Sequence, residues 1–224
     1  MKSNGSNRSG RNNNGRNAEV DENLCTIFGN QKELKTSWTD TNPGVLSEFH
    51  FANLTSLEVF DASGNQLVLR VIPNWSPPFQ LKAMSVRSLH LGPQFPMWLQ
   101  KGFRYMDLSG TGISDSVPQW FWNLSSRFLY LNLSHNQING KIPNIPKLDR
   151  FVSRIYLGSK QLRGPLSPLS SNVTEQDLSS NSFSGEISNF LCDRQDEPNK
   201  LEILHLGENQ LSGEIPDCWE NCRS

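Results

Sequence analysis

No stretch of this 224-residue chain approaches the about 18 consecutive apolar residues of a membrane-spanning helix. The basic start, MKSNGSNRSGRNNNGRN, leads into no apolar segment of about 7 to 15 residues, so the chain as written shows neither export signal nor anchor. Charge is balanced at a formal net -1, and no basic patch with interleaved aromatics occurs, which disfavours nucleic acid as a partner. A glycine-rich phosphate loop and a kinase signature are both missing, which excludes phosphoryl transfer by this chain. Four dispersed cysteines form no C-x-x-C pair, and His50, His90, His135 and His205 fall at different phases or in distant segments, so no metal site and no cofactor are expected. Hydrophobic residues make up 35% of the chain, low for a compact globule and suited to a narrow core spread along an elongated one.

What is present is a phrase that recurs. LEILHLGENQLSGEIP ends at Pro216, YLNLSHNQINGKIP at Pro143, and EQDLSSNSFSGEIS at Ser188, each with an asparagine at one phase. Weaker copies end at Pro73, Pro96, Pro118 and Ser167. The asparagine phase is filled in turn by Asn65, Leu89, Thr111, Asn136, Lys160, Asn181 and Asn209, in steps of 24, 22, 25, 24, 21 and 28 residues. With L-x-L-x-x-N-x-L at its heart, this period is the leucine-rich-repeat signature. Within each copy, apolar alternation at period two gives one short strand, and glycine and proline then break it.

The expected fold is an α/β-type solenoid: a curved leucine-rich-repeat stack with a parallel β-sheet on the concave face and an irregular or short-helical convex side. A polar amide among leucines has a physical role there. The backbone turns inward after the strand and leaves peptide groups without partners, and a buried asparagine both donates and accepts, so Asn65, Asn136, Asn181 and Asn209 form a ladder between coils. Thr111 replaces part of this, whereas Leu89 and Lys160 do not, so irregularity is expected in coils two and five. Gln176 departs in another way, because leucine fills its phase elsewhere.

Residues 1–43 read as a disordered or unassigned N-terminal segment, with Lys2, Arg8, Arg11 and Arg16 and almost no apolar residue at its start. Residues 44–224 read as one leucine-rich-repeat domain of about seven repeats, beginning near Val45 and truncated at the C-terminus.

LSGEIP at 211–216 and INGKIP at 138–143 resemble the plant-specific class of extracellular leucine-rich repeats. FHFANLTSLEVFDASGNQL, LHLGPQFPMWL, TGISDSVPQWFWNLSS and LEILHLGENQLSGEIPDCW resemble, more narrowly, the ectodomains of plant receptor-like proteins of the fungal xylanase receptor type, over roughly residues 44–219. The resemblance implies a parent on the extracellular side of the plasma membrane that senses microbial or developmental ligands and signals through partner receptor kinases. Against that family the chain lacks the signal peptide, the N-terminal cap, many coils, the anchor and the tail. The implied function is peptide or protein binding in defence or developmental signalling, without catalysis. The alternatives are a secreted leucine-rich-repeat inhibitor of a microbial enzyme and a non-functional truncated product.

Repeat phase also sorts the side chains. Trp75, Trp98 and Trp120 follow the closing prolines and fill the convex half of the core, as Trp219 does after Pro216. Tyr105 and Tyr130 sit six residues before the ladder position and Tyr156 four before it, which puts all three tyrosines on the concave face with Arg104, Asp107 and Arg154 beside them. The phase four before the ladder, Asp61, Ser85, Asp107, Asn132, Asp177 and His205, forms a polar column. Tyrosine and arginine are common binding anchors, so Arg104, Tyr105, Asp107, Tyr130, Asn132, Arg154, Tyr156, Asp177 and His205 are the candidate ligand contacts; a solvated strand face is the plain alternative. Asp61 and Asp107 lie two coils apart, roughly 10 Å by strand spacing, which is marginal for a catalytic carboxylate pair.

Glycosylation sequons fall at Asn53, Asn74, Asn123, Asn132 and Asn172, with two more at Asn4 and Asn7, and fit a secreted parent. A glycan on Asn132 would limit access to Tyr130 and Tyr156. Cys192 and Cys218 lie at nearly the same phase of adjacent coils, so a disulfide between them fits an oxidising compartment. Cys218 with Cys222 is the competing pair, and Cys25 is then left over.

Overall fold

In the computed structural model, the described residues are 32–35, 44–99, 102–124, 128–143, 153–159, 161–166, 173–192 and 200–217. A parallel sheet of eight strands runs their length: β1 (Glu33–Lys35), β3 (Val59–Asp61), β5 (Ala83–Ser85), β6 (Tyr105–Asp107), β7 (Tyr130–Asn132), β9 (Ser153–Tyr156), β11 (Val173–Asp177) and β13 (Ile203–His205), each paired with the next in that order. Alternation fixes which way each side chain goes. Phe60, Met84, Met106, Leu131 and Ile155 form one inward row in register, none more than 2% exposed.

The chain after each ladder position was expected to be irregular or short-helical, and short helices are there: α1 (Glu48–Phe51), α2 (Gln119–Leu124) and α3 (Ile187–Cys192). They deliver Phe51, Phe121, Trp122, Phe190 and Leu191 to the core. In addition, the residues following the ladder pair into two further parallel sheets. One joins β2 (Val45–Leu46) to β4 (Val68–Leu69), and the other joins β8 (Asn139–Gly140), β10 (Gln161–Gly164), β12 (Ser182–Glu186) and β14 (Gln210–Ser212). The alternation that made the first strand continues past the ladder, with Ile138, Leu162 and Phe183 turned inward, so neighbouring coils hydrogen-bond there too. Trp75, Trp98 and Trp120 pack partly buried against the core, with Trp75 and Trp98 5.1 Å apart; Trp219 lies outside the described residues.

The solenoid starts earlier than the expected boundary near Val45. Within the 1–43 segment, β1 pairs with β3, Leu34 facing Phe60 and 8% exposed. A single leucine between Glu33 and Lys35 is too little alternation to announce a coil in the sequence. No helix among the described residues is long and apolar enough to cross a membrane.

Candidate ligand-binding face

The outward face of the eight-stranded sheet is set by what happens just behind it. One residue before the ladder phase the backbone is left-handed at Gly64, Ser88, Gly110, His135, Ser180 and Glu208, with φ between 54° and 75°. His135 is thus a turn residue. That turn aims the next side chain inward, where Asn136 does the most. Its oxygen accepts from the N–H of Thr111 at 3.0 Å and of Ile113 at 3.1 Å, and its amide donates to the carbonyls of Leu108 at 2.7 Å and Leu133 at 3.0 Å. Asn181 bridges to Leu157 and Leu162 in the same manner, Asn209 to Leu178 and Phe183, and Asn65 donates to Ala62.

The two coils without an asparagine solve the problem differently. In coil two Leu89 is fully buried, and the N–H groups of Leu91 and Gly92 both donate to the Thr111 carbonyl, at 2.9 and 3.0 Å. Gly92 permits this approach, since a Cβ there would overlap the Gly112 carbonyl. In coil five Lys160 lies outside the described residues, and the buried hydroxyl of Ser159 contacts Asn181 Oδ1 at 3.2 Å while donating to the Ile138 carbonyl at 3.1 Å.

Along the outward face two rows stand in register. The first runs Val59, Ala83, Tyr105, Tyr130, Arg154, Glu175, Ile203; the second runs Asp61, Ser85, Asp107, Asn132, Tyr156, Asp177, His205. The Tyr105 and Tyr130 rings stack at 4.4 Å with planes 8° apart, and Tyr156 tilts against Tyr130 at 5.4 Å. Burial raises the pKa of all three phenols, with Asp107 adding to it at Tyr105. Tyr156 reaches about 12, through burial and then its hydrogen bond to Glu175.

The second row is less free to read a ligand than its exposure at the sequence level suggested. Asp107 is only 4% exposed: one oxygen accepts from the N–H and hydroxyl of Ser109 at 3.0 and 2.6 Å, and the other faces the Tyr130 hydroxyl at 3.5 Å. Asp61 with Ser63, Asn132 with Ser134, and Asp177 with Ser179 repeat the brace. The motif Asp/Asn-x-Ser at the strand end is the signal that would have revealed it. Asp107 therefore holds its own turn, and the carboxylate pair considered with Asp61 is broken by that engagement.

Arg104 stands one residue before the tyrosine row, at the strand start beside Lys82, to whose carbonyl its N–H donates at 2.8 Å. Arg154 follows Tyr130 in the first row, 3.7 Å from Glu175; His205 ends the second, 3.9 Å from Asp177. Glu175 links Arg154 and Tyr156 and was overlooked, although it shares the phase of Tyr105 and Tyr130. Asn53, Asn74 and Asn123 are exposed, away from this face; Asn172 lies outside the described residues. Cys192, at the end of α3, is disulfide-bonded, while Cys218 lies outside the described residues.

A repeated coil with an ordered aromatic and charged outward sheet face is a leucine-rich-repeat recognition scaffold. The family model described as Leucine Rich Repeat matches residues 102–124, 127–147 and 200–222. Receptor-like protein EIX2 of Solanum lycopersicum is 40% identical over 182 residues, 80% of this chain and 17% of that protein. Receptor-like protein EIX1 of the same species is 40% identical over 132 residues, 58% of this chain and 13% of that protein. The chain thus spans less than a fifth of either relative. Among solved structures, the Arabidopsis receptor kinase HAESA, in complex with the peptide hormone IDA and the co-receptor SERK1, shares the fold with a TM-score of 0.54 at 19% identity, over 86% of this chain and 40% of that one. The chain belongs to the plant leucine-rich-repeat receptor-like proteins.

Proposed function

We propose that the outward face centred on Tyr105, Tyr130 and Tyr156 binds a peptide or protein ligand for a plant cell-surface receptor-like protein acting in defence or developmental signalling. The observation that carries this reading is the continuous tyrosine patch, whose leading ring, Tyr105, remains 40% exposed. Ordered aromatics that keep exposed area are low-entropy anchors. The chain acts by binding and not by catalysis, since the acidic groups beneath the tyrosines are committed to bracing turns. The parent works on the extracellular side of the plasma membrane, with receptor kinases as its signalling partners. HAESA, a scaffold of the same fold, is seen with a peptide hormone and a co-receptor, and occupancy of that kind is what we propose.

Binding of the parent receptor's ligand to the wild type and to the triple variant Tyr105→Ala, Tyr130→Ala, Tyr156→Ala tests this. A loss of about 2 kcal/mol or more, roughly thirtyfold in affinity, is expected. Equal affinity in two equally folded proteins overturns it.

A further inference from the structure

The tyrosine row stops abruptly at β5. Its outward side chains, Ala83 and Ser85, stand in register between Val59 and Asp61 on one side and Tyr105 and Asp107 on the other. Tyr105 stacks on Tyr130 at 4.4 Å, close to the about 4.8 Å strand spacing, so each strand provides one ring's thickness. The next place in that row belongs to Ala83, which fills it with a methyl group. One face of Tyr105 is therefore covered by Tyr130 while the other looks across Ala83 towards Val59, two strand spacings or roughly 10 Å away. The result is a notch one strand wide, walled by an aromatic face.

A carboxylate also borders it. Asp61 uses Oδ1 to accept from the Ser63 N–H at 3.0 Å and leaves Oδ2 unused among the described residues. No ion pair among the described residues engages Asp61, Asp107 or Arg87. Lys35, opposite Asp61 on β1, is hydrogen-bonded to Glu33 at 2.8 Å and also feels the Asp61 charge. Asp61 and Asp107 are the carboxylates whose charge reaches the Tyr105 hydroxyl, with the Arg87 guanidinium opposing them, while Lys32 and Lys82 share Glu58 at the strand starts. The Tyr105 hydroxyl senses this field: burial raises its pKa most, Asp107 and Asp61 raise it further, and Arg87 opposes them.

We propose that the notch over Ala83 receives the guanidinium of an arginine side chain from a peptide or protein ligand, stacked on the open face of Tyr105 and hydrogen-bonded to the Asp61 carboxylate. The proposal rests on the reading of this face as the ligand surface and names one group that the face selects. A guanidinium is planar, stacks on aromatic rings and pairs with carboxylates, and it is weakly hydrated. Lysine lacks the plane that fills the slot. Phenylalanine would stack but offer the Asp61 carboxylate no donor.

The test uses the full chain, labelled in its tyrosine rings and alanine methyls for NMR, with N-acetyl-arginine amide as probe and its citrulline and phenylalanine counterparts for comparison. Saturable shifts are expected at Tyr105 and Ala83 with the arginine probe. Citrulline should bind roughly tenfold more weakly, through loss of a charge-assisted contact, and Asp61→Asn should weaken the arginine probe to a similar degree. Ala83→Leu, which fills the notch, should abolish the shifts; if that variant does not fold, Asp61→Asn and the citrulline comparison decide. No saturable shift at Tyr105 and Ala83, equal affinity for citrulline or phenylalanine, or binding that survives Ala83→Leu overturns the proposal. Shifts confined to Tyr130 and Tyr156 also overturn it, while leaving the wider ligand face standing on the triple tyrosine experiment.

Discussion

The side-chain amide of Asn132 donates to the Tyr130 hydroxyl at 3.2 Å, and its oxygen accepts from the Ser134 N–H and hydroxyl at 3.0 and 2.7 Å. Asn132 opens a sequon whose hydroxyl residue is that same Ser134. A glycan there would take one of the two Nδ2 hydrogens and place a bulky group over the tyrosine row. In chain secreted from a plant or insect cell, glycopeptide mapping should find glycan on Asn53 and Asn123, both exposed, and Asn132 unmodified. Near-complete occupancy of Asn132 would show that the tyrosine row is covered.

The ladder gives a stability prediction. Asn136→Ala removes the acceptor of two buried N–H groups and the donor to three carbonyls at once. Each orphaned group costs about 1 to 3 kcal/mol, so a loss of about 3 kcal/mol or more is expected by chemical denaturation. Asn139→Ala removes only a bond to the Ser114 carbonyl near solvent and should cost less than about 1 kcal/mol. Similar losses in the two variants would mean that the amide's buried bonds are not what matters.

The difference between those two asparagines shows how much was legible in the sequence. Repeat phase locates the ladder, and period-two alternation then decides which neighbours face out, so the fold and the adjacency of Tyr105 and Tyr130 are legible in the sequence. Features that depend on what a neighbouring coil omits could not. Ala83 carries no signal until register puts it beside Tyr105, and Ser159 looks ordinary until its hydroxyl is found between Ile138 and Asn181. Asp107 carries the residue type of a binding group, and only its bonds to Ser109 reveal a structural one. At β1 the signal was simply too short, three residues with one leucine.

Gln176 is a polar side chain in the inward row, between Ile155 and Leu204 and fully buried, with neither amide atom hydrogen-bonded among the described residues. An unpaired amide in such a place costs about 1 to 3 kcal/mol. Gln176→Met keeps the side-chain shape and removes the orphaned atoms, so it should stabilise the chain by about 1 to 3 kcal/mol. A destabilised variant would place a hydrogen-bonding partner, such as a buried water, on that amide.

The three tyrosines of the chain all lie in the outward patch, so phenolate absorbance reports that patch alone. Each titrates above the ordinary value, burial being the main cause, and Tyr156 should be last, near pH 12, because Glu175 adds a hydrogen bond and a negative charge beside it. A phenol whose folded pKa exceeds its unfolded value binds its proton more tightly in the native state. Its stabilising contribution is complete below the unfolded value of about 10 and is lost as the pH rises through the folded one. Stability should therefore fall between about pH 10 and 12, the window set by Tyr156. Glu175→Gln should bring the last phenol's midpoint down without altering the order of burial, and Tyr156→Phe should delete that step from the absorbance curve. Three phenols titrating together near 10 would mean that the tyrosine row does not form in solution.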